Sequence, residues 1–177
     1  HGPPDMRSAR LELALQSGAF TPPLTGDIAV LRPRVGDDLG ALPADQVAVL
    51  TGFKPDFDHF QRQGVRVATA AAVAAIVCLP RAKADAFALI AEAFALLPAG
   101  APVLIDGQKT DGVDSVLKQC RSAGMQTGEV LSKAHGKAFV VPAGAVPDGW
   151  ATKPQQIEGG FVTLPGVFSA DGPDRGS

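Results

Sequence analysis

The sequence is short of most residues and patterns that announce a function. It has two cysteines, Cys78 and Cys120, and no close CxxC spacing. Neither a thiolate metal site nor a disulfide framework follows from such a pair. Cys78 falls in an apolar run and is expected to be a small buried hydrophobe. The net charge is only −2, which supplies no global attraction to nucleic acid or to an anionic membrane. That argues against an autonomous, tight nucleic-acid binder and leaves room for a local basic patch. No stretch reads as a signal peptide, and no apolar run is long and unbroken enough to span a bilayer. A cytoplasmic location is the expectation.

The glycine-rich turn of a dinucleotide or nucleoside cofactor site is also missing. Such a turn lets the backbone approach the ligand at a helix N-terminus. After Ile28 to Leu31 comes Arg32-Pro33-Arg34-Val35-Gly36-Asp37-Asp38-Leu39-Gly40. This is not GxGxxG, and it reads as a surface loop.

What is present is a strand–helix–strand unit from Ala72 to Gly107. Val73 to Leu79 is a short apolar run without alternation, as in a strand covered on both faces. Pro80 interrupts it, having no N–H for a ladder. From Lys83 to Leu97 the period changes. Phe87, Ile90, Ala91, Phe94 and Leu97 fall on one helical face. Pro98-Ala99-Gly100 ends the helix, and Val103 to Ile105 opens a second buried strand. A crossover of this length favours a parallel pair with a right-handed connection.

The flanking chain continues the theme. Arg7 to Ser17 is helical, with Leu11, Ala14 and Leu15 as its stripe, Glu12 facing away and Gly18 as its stop. Strands are expected at 27–32, 46–50 and 65–68, with a short helix from Asp56 to Gln63. Gly112 to Ala123 is a further helix, with Val113, Val116, Leu117 and Cys120 inward. Glu129 to Ser132 and Ala138 to Val141 flank Ala134-His135-Gly136 as a hairpin. The expected fold is α/β: a Rossmann-like, mostly parallel sheet with helices on both faces and a C-terminal antiparallel hairpin, the outline of class I methyltransferases, with a degenerate cofactor site. Residues 1–5 read as additions ahead of a start at Met6. Residues 6–142 form the domain, 143–160 a Pro/Gly-rich linker with Trp150, and 161–177 the opening of a second domain.

Chemistry-bearing residues are few. His59 lies beside Asp56 and Asp58 with no nucleophile or metal partner at a recognisable spacing, so a solvated helix histidine is expected. His135 is expected in a turn. Asp106-Gly107-Gln108-Lys109-Thr110-Asp111-Gly112 follows a strand and precedes a helix, the place where open α/β sheets bind ligands. Asp111 alternatively serves as the N-cap of the next helix. Arg81, Lys83 and Lys109 gather at expected C-terminal strand ends and are the candidate RNA phosphate contacts. No aromatics are interleaved with them to stack bases. No metal site is indicated.

The tail carries the most specific pattern. Leu164-Pro165-Gly166-Val167-Phe168-Ser169-Ala170-Asp171-Gly172-Pro173-Asp174-Arg175-Gly176-Ser177 resembles the segment that opens the catalytic domain in the bacterial 16S ribosomal RNA small-subunit methyltransferase C family, approximately LPGVFSxDGxDxGS. Ile76 to Lys83 resembles that family's strand-Pro-Lys element, and Ala95 to Gly100 its helix-ending LLPxG. Members are guanine-N2 methyltransferases with two methyltransferase-like domains in tandem. The first has lost the cofactor site. The second binds S-adenosylmethionine and holds an Asn-Pro-Pro-Phe/Tyr motif.

The resemblance implies that this chain is the N-terminal, non-catalytic domain plus the first residues of a catalytic domain. In place of Asn-Pro-Pro it offers Leu79-Pro80-Arg81. Alone it is expected to be inactive and to bind no cofactor, S-adenosylmethionine being the parent protein's. Its expected partners are ribosomal RNA of the small subunit, weakly, and its own catalytic domain, with no membrane. Gly166, Phe168, Asp171, Gly172 and Asp174 would lie near the catalytic pocket. Two other readings compete: a stand-alone Rossmann-like small-molecule enzyme using the Asp106–Gly112 loop, marked by a pocket with a perturbed carboxylate, and a structural interaction domain, marked by a large exposed apolar patch.

Overall fold

A computed structural model describes residues 6–34, 39–50, 66–67 and 72–150. The elements run α1 (Met6–Ser17), β1 (Ile28–Leu31), β2 (Val47–Leu50), β3 (Arg66–Val67), β4 (Ala74–Cys78), α2 (Lys83–Ala95), β5 (Pro102–Gln108), a 3-10 turn (Lys109–Asp111), α3 (Val113–Ser122), β6 (Leu131–Lys133) and β7 (Gly136–Pro142). The strands form one seven-stranded sheet in the order β3-β2-β1-β4-β5-β7-β6. β3, β2, β1, β4 and β5 are mutually parallel. β7 runs antiparallel to both β5 and β6. The alternating α/β architecture and the terminal hairpin are those the sequence predicts. The expected helix at Asp56–Gln63 and the expected strand at 161–164 lie outside the described residues.

Strand side chains alternate between two cores. On one face Ile28, Val30, Ile76, Cys78 and Leu104 meet Leu11 and Ala14 of α1. On the other, Leu31, Val77, Val103, Ile105 and Phe139 meet Ile90 and Phe94 of α2 and Val116 and Cys120 of α3. All four residues of β1 and all five of β4 are buried, which is why their runs are apolar without alternation. Gly18 at φ 84° ends α1 as expected, and the Phe20 N–H reaches back to the Ala14 carbonyl at 3.1 Å. α2 stops at Ala95, two residues before the expected end. Leu96 and Leu97 continue only as i→i+3 turns onto Ala93 and Phe94, just ahead of Pro98.

The chain after β7 returns to the helical layer. Ala143 exchanges hydrogen bonds with Gly100 and Ala101, each 2.8 Å. Trp150 then packs on Phe87 of α2, with ring centroids 4.6 Å apart and planes tilted by 36°.

The hairpin turn is unusual in composition. Ala134 and His135 form its two-residue loop, with φ of 57° and 64°. Two successive positive φ values are what a type I′ turn demands, and Asn-Gly is the usual solution. Side chains with a Cβ resist this region. The turn's carbonyls are held from outside, as the site shows.

Candidate functional site

The period of β5 places Asp106 on the same face as Leu104, beneath α1. An acid there is costly unless paired. On α1, Arg7 and Arg10 share the face of Leu11 and Ala14, being one turn apart. Arg7 Nη1 donates to Asp106 Oδ2 at 2.7 Å and to the Asp106 carbonyl at 3.1 Å. Arg10 donates through Nε to Oδ1 at 2.6 Å and through Nη2 to Oδ2 at 3.1 Å. The second of these guanidinium groups thus forks onto the carboxylate, the strong geometry for such a pair. Arg10 is 0% and Asp106 1% exposed. Arg10 Nη1 also donates to the carbonyls of Lys133 and Ala134, at 3.2 and 3.3 Å. The N–H of Lys109 donates to the His135 carbonyl at 3.0 Å. The strained hairpin turn is therefore held by the same clamp that fixes α1 to β5.

Two glycines make room for it. A methyl group at Gly136 would lie 2.5 Å from Arg10 Nη1 and 2.6 Å from the Gly107 carbonyl. A methyl at Gly107 would lie 2.8 Å from Leu79 Cδ1.

Beside the clamp lies a cavity of about 140 Å³. Arg7 and Arg10 form part of its wall, with Arg34, Arg81, Gln108, Thr110 and Asp111. These residues come from α1 and from the C-terminal ends of β1, β4 and β5, neighbours in the sheet. Past β1 the backbone turns at Arg32, φ 62°, and Pro33 is buried. A bulky residue thus occupies a conformation that favours glycine. Past β5, the Gln108 N–H donates to Asp111 Oδ2 at 3.0 Å, and the Gln108 side chain accepts from the Asp111 N–H. Gly112, at φ 81°, then opens α3. Among the described residues the cavity wall thus carries four arginines and one carboxylate, and that carboxylate is engaged with its own turn.

Several expectations change. Asp106 does not begin a ligand-binding loop: β5 runs on through Gln108, and Asp106 is buried under two guanidinium groups. Asp111 closes the turn before α3, and Gly112 takes the N-cap position. Arg81 does reach the strand-end cavity. Lys83 opens α2 and Lys109 opens the 3-10 turn; both are exposed, and neither lines the cavity. His135 lies in the turn, as expected. His59, Gly166, Phe168, Asp171, Gly172 and Asp174 lie outside the described residues. Arg7, Arg10 and Arg34 were not among the sequence candidates. The signal for the first two was their spacing: arginines continuing the Leu11–Ala14 stripe toward the helix start, with one aspartate closing an apolar strand.

Other titratable groups offer little chemistry. Burial pushes the Cys120 thiol up to about 12, so it is inert as a nucleophile. The hydrogen bond from Lys137, 2.5 Å away, holds Asp114 below its usual range. Among the described residues there is no group of three potential metal ligands. Nor is any helix there long and apolar enough to cross a membrane. The one large exposed hydrophobe among them is Leu24.

Glu92, half-buried on α2, has its pKa raised to about 7 by desolvation, which the Arg32 charge only partly offsets. It is not part of the cavity wall. The folded state holds this proton more tightly than the unfolded chain. Stability is therefore greatest below the unfolded value near 4.5 and falls as pH rises through about 7. Glu92→Gln should remove that slope and raise stability at pH 8 by roughly 1–3 kcal/mol, after allowance for partial exposure. Urea unfolding at pH 5 and pH 8 checks this: the two proteins should differ mainly at the higher pH.

No protein-family model matches the chain, and no curated protein matches it. Solved structures do resemble it. The 16S rRNA N2 methyltransferase of T. thermophilus, in complex with AdoMet and guanosine, aligns over 82% of this chain with a TM-score of 0.59 and 21% identity. The N-methyltransferase NodS of Bradyrhizobium japonicum aligns over 77% of this chain and 93% of its own, with a TM-score of 0.52 and 10% identity. A methyltransferase of Pyrococcus furiosus aligns over 78% of this chain and 82% of its own, at 0.50 and 14%. The fold is thus that of Rossmann-like, class I methyltransferases. The alignment covers 43% of the rRNA methyltransferase, so this chain spans less than half of that protein's length.

The cofactor implied by this fold carries a sulfonium, an ammonium and one carboxylate, and is cationic overall. The described strand ends do not fit it. The cavity is lined by arginines, is smaller than the roughly 300–1,000 Å³ of ordinary small-molecule pockets, and has Arg32-Pro33-Arg34 where a glycine turn would admit a nucleoside.

Proposed function

We propose that this chain is the non-catalytic, N-terminal methyltransferase-like domain of an rRNA guanine-N2 methyltransferase. It supports a catalytic domain and helps to hold ribosomal RNA. The observation that carries this reading is the cationic, narrowed strand-end cavity, set in a fold whose relatives include an rRNA methyltransferase of about twice the length. On this reading residues 161–177 open the catalytic domain. Gly166, Phe168, Asp171, Gly172 and Asp174 then lie beside its pocket, and S-adenosylmethionine binds there and not to residues 6–142. The small-molecule-enzyme alternative needs an available carboxylate in the Asp106–Gly112 segment, and both acids of that segment are engaged.

Filter binding to a 16S ribosomal RNA fragment tests the reading. Weak binding that falls steeply with added salt is expected. Absence of salt-sensitive binding would overturn it.

A further inference from the structure

We infer that the arginine cavity is a phosphate site that seats one backbone phosphate of a bound RNA strand. The assignment of RNA as the source rests on the function proposed above. The anion chemistry does not.

Asp106 holds the guanidinium groups of Arg7 and Arg10 in place beneath the cavity floor. Arg81 adds charge at the mouth, beside Arg34. Arg81 is exposed and has no hydrogen-bond or ion-pair partner among the described residues. α2 begins two residues after it, and no side chain caps that helix start.

Size narrows the ligand. A cavity of about 140 Å³ lies below the range that encloses a drug-sized molecule, so it suits a single compact group projecting from a longer chain. Planar guanidinium forks match phosphate oxygens. The Thr110 hydroxyl, exposed on the wall, supplies a neutral donor. The buried clamp fixes the floor, so ordering on binding falls on the exposed side chains of the rim, which limits the entropic cost.

Thermal unfolding of the chain with inorganic phosphate, and salt titration of its binding to a single-stranded ribo-oligonucleotide, form the test. The variants are Arg81→Gln, Arg81→Lys and, as a control off the cavity wall, Lys83→Gln. Phosphate should raise the melting temperature of the parent chain and of Lys83→Gln. Arg81→Gln should bind phosphate roughly tenfold more weakly, the loss expected for one charged hydrogen-bonding group. Arg81→Lys should recover part of the affinity. On RNA, Arg81→Gln should flatten the slope of log affinity against log salt by about 0.7. Equal phosphate protection of the parent and Arg81→Gln would overturn the site. An unchanged RNA salt slope in Arg81→Gln, with RNA still bound, would overturn the site while leaving the RNA-binding domain standing. Arg81-dependent phosphate binding without any RNA binding would identify free phosphate as the source and overturn the RNA assignment.

Discussion

Asp106→Ala should lower the unfolding free energy by about 3–5 kcal/mol, because it takes the carboxylate away from the buried Arg10 guanidinium and from one side of Arg7. Arg10 is fully buried, so water cannot replace the carboxylate. The carbonyls of Lys133 and Ala134 satisfy donors on Arg10 but neutralise no charge. Asp106→Asn keeps the shape and removes the charge, and should recover only a small part of the loss. The companion variant is Arg7→Met, Arg10→Met and Asp106→Leu together. Replacing a whole buried ionic cluster with apolar groups of similar size is often close to neutral or stabilising, so this triple variant should stand well above Asp106→Ala. Urea unfolding followed by circular dichroism measures both. If Asp106→Ala were as stable as the parent, the clamp would not hold α1 to the sheet.

Gly136→Ala is the second large effect. Its methyl group would sit 2.5 Å from Arg10 Nη1 and 2.6 Å from the Gly107 carbonyl. Neither can retreat freely: the guanidinium is held by Asp106, and Gly107 lies in the ladder, paired with Lys137. Overpacking of this kind costs about 1–3 kcal/mol, and displacing Arg10 from its carboxylate adds to it. A total near 4 kcal/mol is expected. Combining Gly136→Ala with Arg10→Met should give less than the sum of the two losses, because one obstruction is removed along with the charge. Strict additivity would show that Arg10 and Gly136 are not in contact. The single tryptophan and the absence of tyrosine make Trp150 emission a separate probe of whether the packing on Phe87 survives in each variant.

The parts of the fold legible in the sequence are those governed by period and by breakers. β4, α2 and β5 follow from an apolar run, a stripe of period 3.6, and Pro80 and Pro98 as stops. The hairpin follows from a polar turn between two short apolar runs. The ends moved where local hydrogen bonding decided them, as at Leu96 and Leu97. The cavity was legible only through Arg81, because position after a strand is a local property. The clamp was not legible. Asp106 is separated from Arg10 by 96 residues, and nothing local distinguishes an acid at a strand end that meets solvent from one roofed by a helix. Arg7 and Arg10 read as solvated charges until the face of α1 that carries them is known to be the buried one. The left-handed turn at Ala134–His135 escaped for a related reason: neither residue favours positive φ, and the partners holding it come from α1 and from Lys109.

On the proposed reading, the arginine-lined strand-end cavity of this methyltransferase fold takes phosphate and not S-adenosylmethionine. Equilibrium dialysis of the chain against radiolabelled S-adenosylmethionine, with and without inorganic phosphate, tests that most directly. No saturable binding of S-adenosylmethionine is expected in either condition. Saturable binding that Arg81→Gln strengthens and phosphate displaces would contradict it, placing the cofactor in the same cavity.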